Sequence, residues 1–432
     1  MTSNSSQVLN ISLSEIKLYK HQLRQTGKKQ IEKTIRLIQE IGFPPVVLVN
    51  KDLEIITGQF LVEAARQMEL ETIPIIRADN LDDKATRLIR LGLDRLRDEE
   101  QWVKEALSVE IQELQIDYPD LDLTLTGFEI AELDCYLDFD ELNDEDPIPE
   151  ADKENPPITK KGDLWQLGEH RLYCGDSLRK KSYTALMNKR KARMILSDPP
   201  YNVPIDGHVC GNGKVKHREF ENASGEMSEK EFTTFLEHTF KHMISFSENG
   251  SLHYIFMDWR HGLEMMLAAK NVNYQHKNTC IWVKDNGGMG SFYRSRHEMI
   301  YIFKNGDGPY INNIELGKHG RYRTNVWEYA GVNSFAGQQS DLSLHPTVKP
   351  VALLMDAIKD CTKRHDIILD PFGGSGSTLI AAEKTSRKAF LIEIDPHYCD
   401  VIIRRWQTLT NEKAIHFKSQ KSFPEMENMK YE

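Results

Sequence analysis

Asp366-Ile-Ile-Leu-Asp370-Pro-Phe372-Gly373-Gly374-Ser375-Gly376-Ser377-Thr378 reads as a short buried strand, a glycine-rich turn and the start of a helix. Three glycines within 373–376 let a ligand approach the backbone closely. The turn lacks the lysine of a phosphate-binding P-loop, which argues against a triphosphate. Twenty residues after Gly373, Glu393 lies in the apolar strand Phe390-Leu-Ile-Glu-Ile394, where a carboxylate is placed to bind ribose hydroxyls. A glycine turn with a ribose acid fits any nucleoside cofactor, NAD included. It selects an α/β fold of Rossmann-like, doubly wound type.

The chain around this stretch alternates in the same way. Strands are expected at 194–197, 252–257, 279–283 and 299–303, with a helix at 228–246. Helix 348–361, strand 367–369, helix 378–384, strand 389–394 and helix 398–410 follow. That alternation predicts a mostly parallel sheet. A hairpin is expected at its start, from Leu164-Trp-Gln-Leu167 and Arg171-Leu-Tyr-Cys174. The domain spans 160–412, and residues 413–432 read as a loose tail.

A smaller α/β unit, residues 9–90, precedes it behind a polar leader. Pro44-Pro45-Val-Val-Leu-Val49 and Leu53-Glu-Ile-Ile-Thr57 read as strands. Gly58 opens a helix to Leu70, and Ile73-Pro-Ile-Ile76 is a further strand. One helix is expected from Asp82 to about Gln115 and another near 127–137, which makes 91–137 a helical extension. Residues 138–159 read as an acidic linker. Nine acids stand against Lys153 between Asp138 and Glu154, so this stretch carries −8 of the net −10. About −2 remains for everything else. That balance argues against a nonspecific DNA coater but says little about a sequence-reading protein.

With 432 residues, 40% hydrophobic and 28% charged, the composition is that of a globular protein of two or three domains. No apolar run approaches the roughly 20 residues needed to cross a bilayer, and the polar N-terminus lacks a secretory pattern. Six scattered cysteines show no C-x-x-C pair, which points to reduced thiols, a cytoplasmic setting and no metal. Ten of the fifteen histidines fall in 203–345 without metal-ligand spacing.

Ser197-Asp198-Pro199-Pro200-Tyr201-Asn202 directly follows the apolar strand Met194-Ile-Leu196, at the strand end where open α/β sheets bind ligands. An exocyclic aromatic amine is a poor nucleophile because its lone pair is delocalised into the ring. The Asp198 carboxylate and the Pro199 carbonyl could each accept one amine hydrogen, and two prolines would hold those acceptors rigidly. Tyr201 could stack on the base face. Taken alone, the same residues also fit a rigid turn.

The order of Asp-Pro-Pro-Tyr, His345-Pro346-Thr347-Val348-Lys349-Pro350 and Asp370-Pro-Phe-Gly-Gly-Ser-Gly376 resembles the amino-methyltransferases of DNA. With the catalytic motif first and the cofactor turn last, it resembles their circularly permuted beta group. Gly175-Asp176-Ser177 and Tyr293-Arg-Ser-Arg-His-Glu298 match the same pattern. The resemblance implies catalytic roles for Asp198, Pro199, Pro200 and Tyr201. It implies that Phe372, Gly373, Ser375 and Glu393 hold S-adenosylmethionine, with Asp370 at the methionine end and Asp176, Thr347 and Lys349 as further contacts. Asp rather than Ser at position 198 favours adenine N6 over cytosine N4 within this group. Double-stranded DNA is the implied partner, and a homodimer is compatible with the group.

Residues 305–345 occupy the place of the family's target-recognition region. Arg294, Arg296, Arg321 and Arg323 are candidate phosphate or base contacts, although each also fits a solvated loop. Residues 203–227 read as a loop beside the catalytic motif. In front, Ile11-Ser-Leu-Ser-Glu-Ile16, Ile56-Thr-Gly58 and Glu63-Ala-Ala-Arg66 resemble the ParB-like N-terminal domain, related in fold to sulfiredoxin. Gly58-Gln59-Phe60-Leu61 departs from the basic or histidine-containing run usual there, which implies a binding module without nucleotide hydrolysis. Two rivals remain: a noncatalytic ParB-like DNA-binding protein with a decayed methylase, and an NAD enzyme. The latter leaves Asp-Pro-Pro-Tyr unexplained.

Overall fold

The computed structural model describes residues 8–19, 26–44, 46–97, 102–118, 121–137, 155–203, 225–284, 292–317, 323–329 and 349–431. The leader 1–7, the acidic stretch 138–154 and loop residues 204–224 lie outside the described residues. The chain divides into two compact units, Met1–Phe139 and Asp140–Glu432.

In the first unit, β1 (Val8–Ser12), β2 (Val47–Asn50), β3 (Ile55–Thr57) and β4 (Thr72–Ala78) form one sheet in the order β1-β4-β2-β3. Val47, Val49, Ile73 and Ile75 recur at every second position along β2 and β4 and are fully buried. They share a core with Ile31 and Ile38 of α1 (Lys28–Ile41) and with Leu61, Val62 and Ala65 of α2 (Gln59–Gln67). The single helix expected over 82–115 is two helices, α3 (Asp83–Arg97) and α4 (Lys104–Asp117), because Val103 is extended. The two serve different cores. Arg90 of α3 bonds Glu54 and the Ile55 carbonyl beside β3. Ile111 of α4 packs with Leu123 and with Leu133 of α5 (Ile130–Leu137).

The second unit is built on a ten-stranded sheet. Its strands are β5 (Leu164–Leu167), β6 (His170–Cys174), β7 (Ala192–Ser197), β8 (Ser247–Met257), β9 (Gln275–Val283), β10 (His297–Lys304), β11 (Val326–Glu328), β12 (Ile367–Asp370), β13 (Lys388–Glu393) and β14 (Ile415–His416). They lie in the order β11-β9-β10-β8-β7-β12-β13-β6-β5-β14. The five middle strands, β8 to β6, are parallel. Antiparallel pairs flank them on both sides.

Successive residues of the middle strands serve opposite faces. Leu196, Ile368 and Leu391 join the core that contains α9 (Val351–Cys361), α10 (Ser377–Lys384) and α11 (Pro396–Thr410). Ile195, Leu369 and Ile392 join the core of α6 (Lys180–Met187), α7 (Glu229–Phe246) and α8 (Gly262–Asn271). Burial on both faces is why these strands read as unbroken apolar runs. Ser228 and Glu231 form a reciprocal capping box that starts α7.

The tail is packed rather than loose. β14 pairs with β5, and Phe423 at the head of α12 (Phe423–Tyr431) is buried edge-on against Trp165, with ring centroids 5.5 Å apart. Its sequence is polar because two apolar anchors, Ala414 and Phe423, are enough to dock it.

Strand order places the site. From β7 the chain proceeds to β8 on one side, whereas from β12 it proceeds to β13 on the other. The sheet therefore reverses direction between β7 and β12, where the C-terminal strand ends open a crevice. Asp198 follows β7 and Asp370 ends β12 at this reversal.

Candidate active site

Asp198 is the centre of a compact charge network. Lys349 Nζ lies 2.6 Å from Asp198 Oδ2 and 3.3 Å from Glu298 Oε2. The Tyr201 hydroxyl donates to Asp198 Oδ1 at 2.5 Å and also lies 3.1 Å from Glu298 Oε2. Lys284 pairs with the other Glu298 oxygen. Two carboxylates and two ammonium groups thus balance in a buried pocket, where an unpaired charge would be costly. The Lys349 ammonium also lies 5.4 Å from the Tyr201 ring centroid and 5.3 Å from that of Phe256.

The network sets each protonation state. Burial pushes the Asp198 carboxyl above its ordinary value. Lys349 pulls it back, and Glu298 adds to the rise. Burial also pushes Glu298 up, but Lys349 and Lys284 outweigh it and hold that carboxyl at about 2. Lys349 is raised, because its two carboxylate partners outweigh the effect of burial. Burial and the same carboxylates push the Tyr201 phenol well above its ordinary value, so it remains a donor. Pro199 is buried beside Asp198, and Pro200 is partly buried.

The glycine turn lies on the other side of the crevice. Asp370 Oδ1 accepts from the Phe372 amide at 3.0 Å, and its Oδ2 accepts from the Thr378 hydroxyl at 2.6 Å. Glu393 Oε2 accepts from the Gly374 amide at 2.7 Å, and Oε1 accepts from the Asp395 amide at 2.9 Å. Gly376 has φ +86, and a Cβ there would meet Ile402 Cγ1 at 3.0 Å, so only glycine fits without strain. Arg405 donates to the Ser375 carbonyl at 3.0 Å and steadies the turn. The Phe372 ring lies 6.2 Å from Phe235, and Gly373 is buried. Burial raises Asp370 to about 8 and Glu393 to about 7. Asp176 accepts from the Leu178 amide at 2.8 Å and pairs with Arg179. The neighbouring Gly175 amide donates to the Glu393 carbonyl at 2.8 Å, which joins this turn to β13.

The structure therefore gathers Asp198, Pro199, Pro200 and Tyr201 at one strand end and Asp370, Phe372, Gly373, Ser375 and Glu393 at the adjoining ones. Lys349, expected among the cofactor contacts, pairs with Asp198 and Glu298. Glu298 was quoted from sequence only as the end of a matched motif, with no role, and Lys284 was not singled out. The available signal was a carboxylate at the buried head of the otherwise apolar strand His297-Glu-Met-Ile-Tyr-Ile-Phe303. Thr347 and Arg321 lie outside the described residues, as do 318–322 and 330–345 of the candidate target-recognition region.

Arg294 and Arg296 are exposed. Arg323 corrects its expectation. Its guanidinium bonds Asp356 at 2.8 Å, Asp360 at 3.2 Å and the Tyr329 hydroxyl at 2.8 Å, and it lies 4.6 Å from the Trp327 ring centroid. It is a strut of the fold, held inward rather than offered to a nucleic acid.

This fold and this pair of strand-end motifs define a nucleoside-cofactor group-transfer enzyme of the doubly wound class. Residues 192–404 match the family model of DNA methylases, and the second unit belongs to that family. That match covers just under half of the chain and takes in both strand-end motifs. Residues 105–161 match a ParB-methyltransferase helix-turn-helix domain, a module that the reading of 91–137 as a helical extension did not anticipate.

Among similar proteins, type II methyltransferase M2.MboI of Moraxella bovis is 28% identical over 239 residues, 52% of this chain and 84% of its own. DNA adenine methyltransferase YhdJ of Escherichia coli (strain K12) is 30% identical over 150 residues, 35% of this chain and 46% of its own. The crystal structure of an M1.HpyAVI-SAM complex is 19% identical with a TM-score of 0.39, covering 54% of this chain and 98% of that one. Among the described residues, no helix is long and apolar enough to cross a membrane.

Proposed function

We propose that this protein transfers a methyl group from S-adenosylmethionine to adenine N6 of double-stranded DNA, in the cytoplasm, after flipping the base out of the stack. The observation that carries this reading is the Asp198 carboxylate, paired with Lys349 and set beside rigid Pro199 at the point where the sheet reverses. Asp198 accepts one hydrogen of the target amine. Each carboxylate oxygen has more than one acceptor site, so the bonds from Tyr201 and Lys349 leave room for this. The Pro199 carbonyl accepts the second hydrogen, and the nitrogen lone pair is directed out of the ring plane. The prolines remove the need for reorganisation at that moment.

The glycine turn fits the cofactor. Asp370 and Glu393 are buried carboxylates that accept from backbone amides and, for Asp370, from the Thr378 hydroxyl, and burial leaves both hard to ionise. A cationic nucleoside relieves that cost. Glu393 would hold the ribose, Asp370 the methionine end, and the Phe372, Gly373 and Ser375 backbone the remainder. When bound, the cofactor supplies an electrophilic methyl group on a sulfonium. Asp at position 198 and the similarity to a protein named as a DNA adenine methyltransferase support adenine as the target.

The first unit, with its helix-turn-helix match, serves in this reading as a DNA-positioning module. Expression in a methylation-free bacterial host, followed by single-molecule modification sequencing, tests the proposal. N6-methyladenine at one short motif is the expected result. N4-methylcytosine would overturn the base assignment, and unmodified DNA would overturn the activity.

A further inference from the structure

The strands β9 and β10 are adjoining and antiparallel, and the ends that carry Lys284 and Glu298 reach the catalytic network directly. Their closure is tight. The Lys284 amide donates to the Arg296 carbonyl at 2.8 Å, and Arg296 Nε donates to the Lys284 carbonyl at 2.9 Å. Residues 285–291 lie outside the described residues. Just beyond the closure stand Phe292 and Tyr293, 86% and 81% exposed, touching each other edge to face with ring centroids 4.4 Å apart. Two adjacent aromatic rings left in water forgo a large burial gain, and such a patch marks an interaction site.

Reach confines what they can touch. Tyr293 is three chain steps from Arg296 and Phe292 four, so the two residues stand within roughly 11–14 Å of the closure, measured along the chain. They are therefore anchored at the rim of the site that takes the target base. Arg294, exposed next to Tyr293, supplies a positive charge at the flank. Flat apolar surface bordered by a guanidinium matches a base stack bordered by phosphate. Tyr201 is already partly buried at Asp198, on the path of the extruded base. The exposed pair faces the other problem that base flipping creates, the gap left in the duplex.

Resting on the DNA-methylating reading above, we propose that Phe292 and Tyr293 form a wedge that enters the duplex stack where the target base has left it, with Arg294 on the adjoining phosphate. The test compares wild type with a Phe292→Ala/Tyr293→Ala variant on two synthetic duplexes carrying the methylated motif, one with the target base paired and one with it mispaired. On the paired duplex, single-turnover methylation should fall by about 5- to 150-fold, the range for loss of stacked aromatic contact. On the mispaired duplex, where extrusion costs less, the deficit should shrink to under roughly threefold. S-adenosylmethionine affinity should stay at the wild-type level, which establishes that the variant is folded, and Tyr293→Phe should retain most activity. Equal deficits on both duplexes, or none on either, would overturn the wedge. Absence of methylation by the wild-type protein on both duplexes would instead overturn the reading on which it rests.

Discussion

Replacing Lys349 with methionine removes a charge while nearly preserving side-chain length. The ammonium is 5% exposed and lies 2.6 Å from Asp198 Oδ2. At that separation, with an effective dielectric of about 20, the attraction is about 6 kcal/mol. Desolvation of both groups offsets part of it, and removing one partner of a buried pair costs about 3–5 kcal/mol. If methyl transfer requires ionised Asp198, the rate at neutral pH should fall roughly 10²- to 10⁴-fold. Burial already raises the Asp198 carboxyl, and losing its counter-charge raises it further. The protonated, inactive form is then favoured, so the acid limb of the pH–rate profile moves to higher pH and alkaline buffer restores activity. Glu298→Gln should move that limb the opposite way, because Glu298 raises Asp198. Single-turnover transfer of labelled methyl from about pH 6 to 9, with cofactor affinity measured on the same samples, checks both signs. Weakened cofactor binding with an unmoved pH profile would refute this assignment and return Lys349 to the cofactor.

Cofactor affinity should rise from about pH 6 to about pH 8.5. Burial raises Glu393 to about 7 and Asp370 to about 8, so both are protonated on the acid side and become acceptors as pH increases. Calorimetry should also show proton release on binding near pH 7.5, and a flat affinity would count against both roles. Gly376→Ala should lower stability by about 1–3 kcal/mol, since a side chain at φ +86 also crowds Ile402. Thermal denaturation reads this, and an unchanged Tm would contradict the turn geometry. Phe423→Ala should cost about 3–5 kcal/mol, because its ring is 1% exposed against Trp165. A change within the error of chemical denaturation would mean that the tail contributes nothing.

The doubly wound core was legible because its signals are local. Buried parallel strands are short apolar runs, and the glycine turn with Glu393 appears within one βαβ stretch. What escaped depends on tertiary partners. The break at Val103 follows from two helices packing on different cores, which amphipathic spacing alone does not show. The tail looked unstructured because its anchors, Ala414 and Phe423, stand among polar residues. The roles of Glu298 and Lys284 were hidden because Glu298 meets Lys349, Tyr201 and Lys284 only after β10 is laid beside β8 and β9. Arg323 misled for the converse reason. A basic residue in a polar segment looks available until Asp356 and Asp360 are placed against it.

The proposed division of labour sets Asp198 on the target amine and Glu393 on the cofactor. Labelled methyl transfer to DNA and S-adenosylmethionine affinity, measured side by side for Asp198→Ala and Glu393→Ala, test it most directly. Asp198→Ala should lose transfer with nearly intact cofactor binding, and Glu393→Ala should bind the cofactor more weakly. Equal loss of cofactor binding in both variants would contradict it.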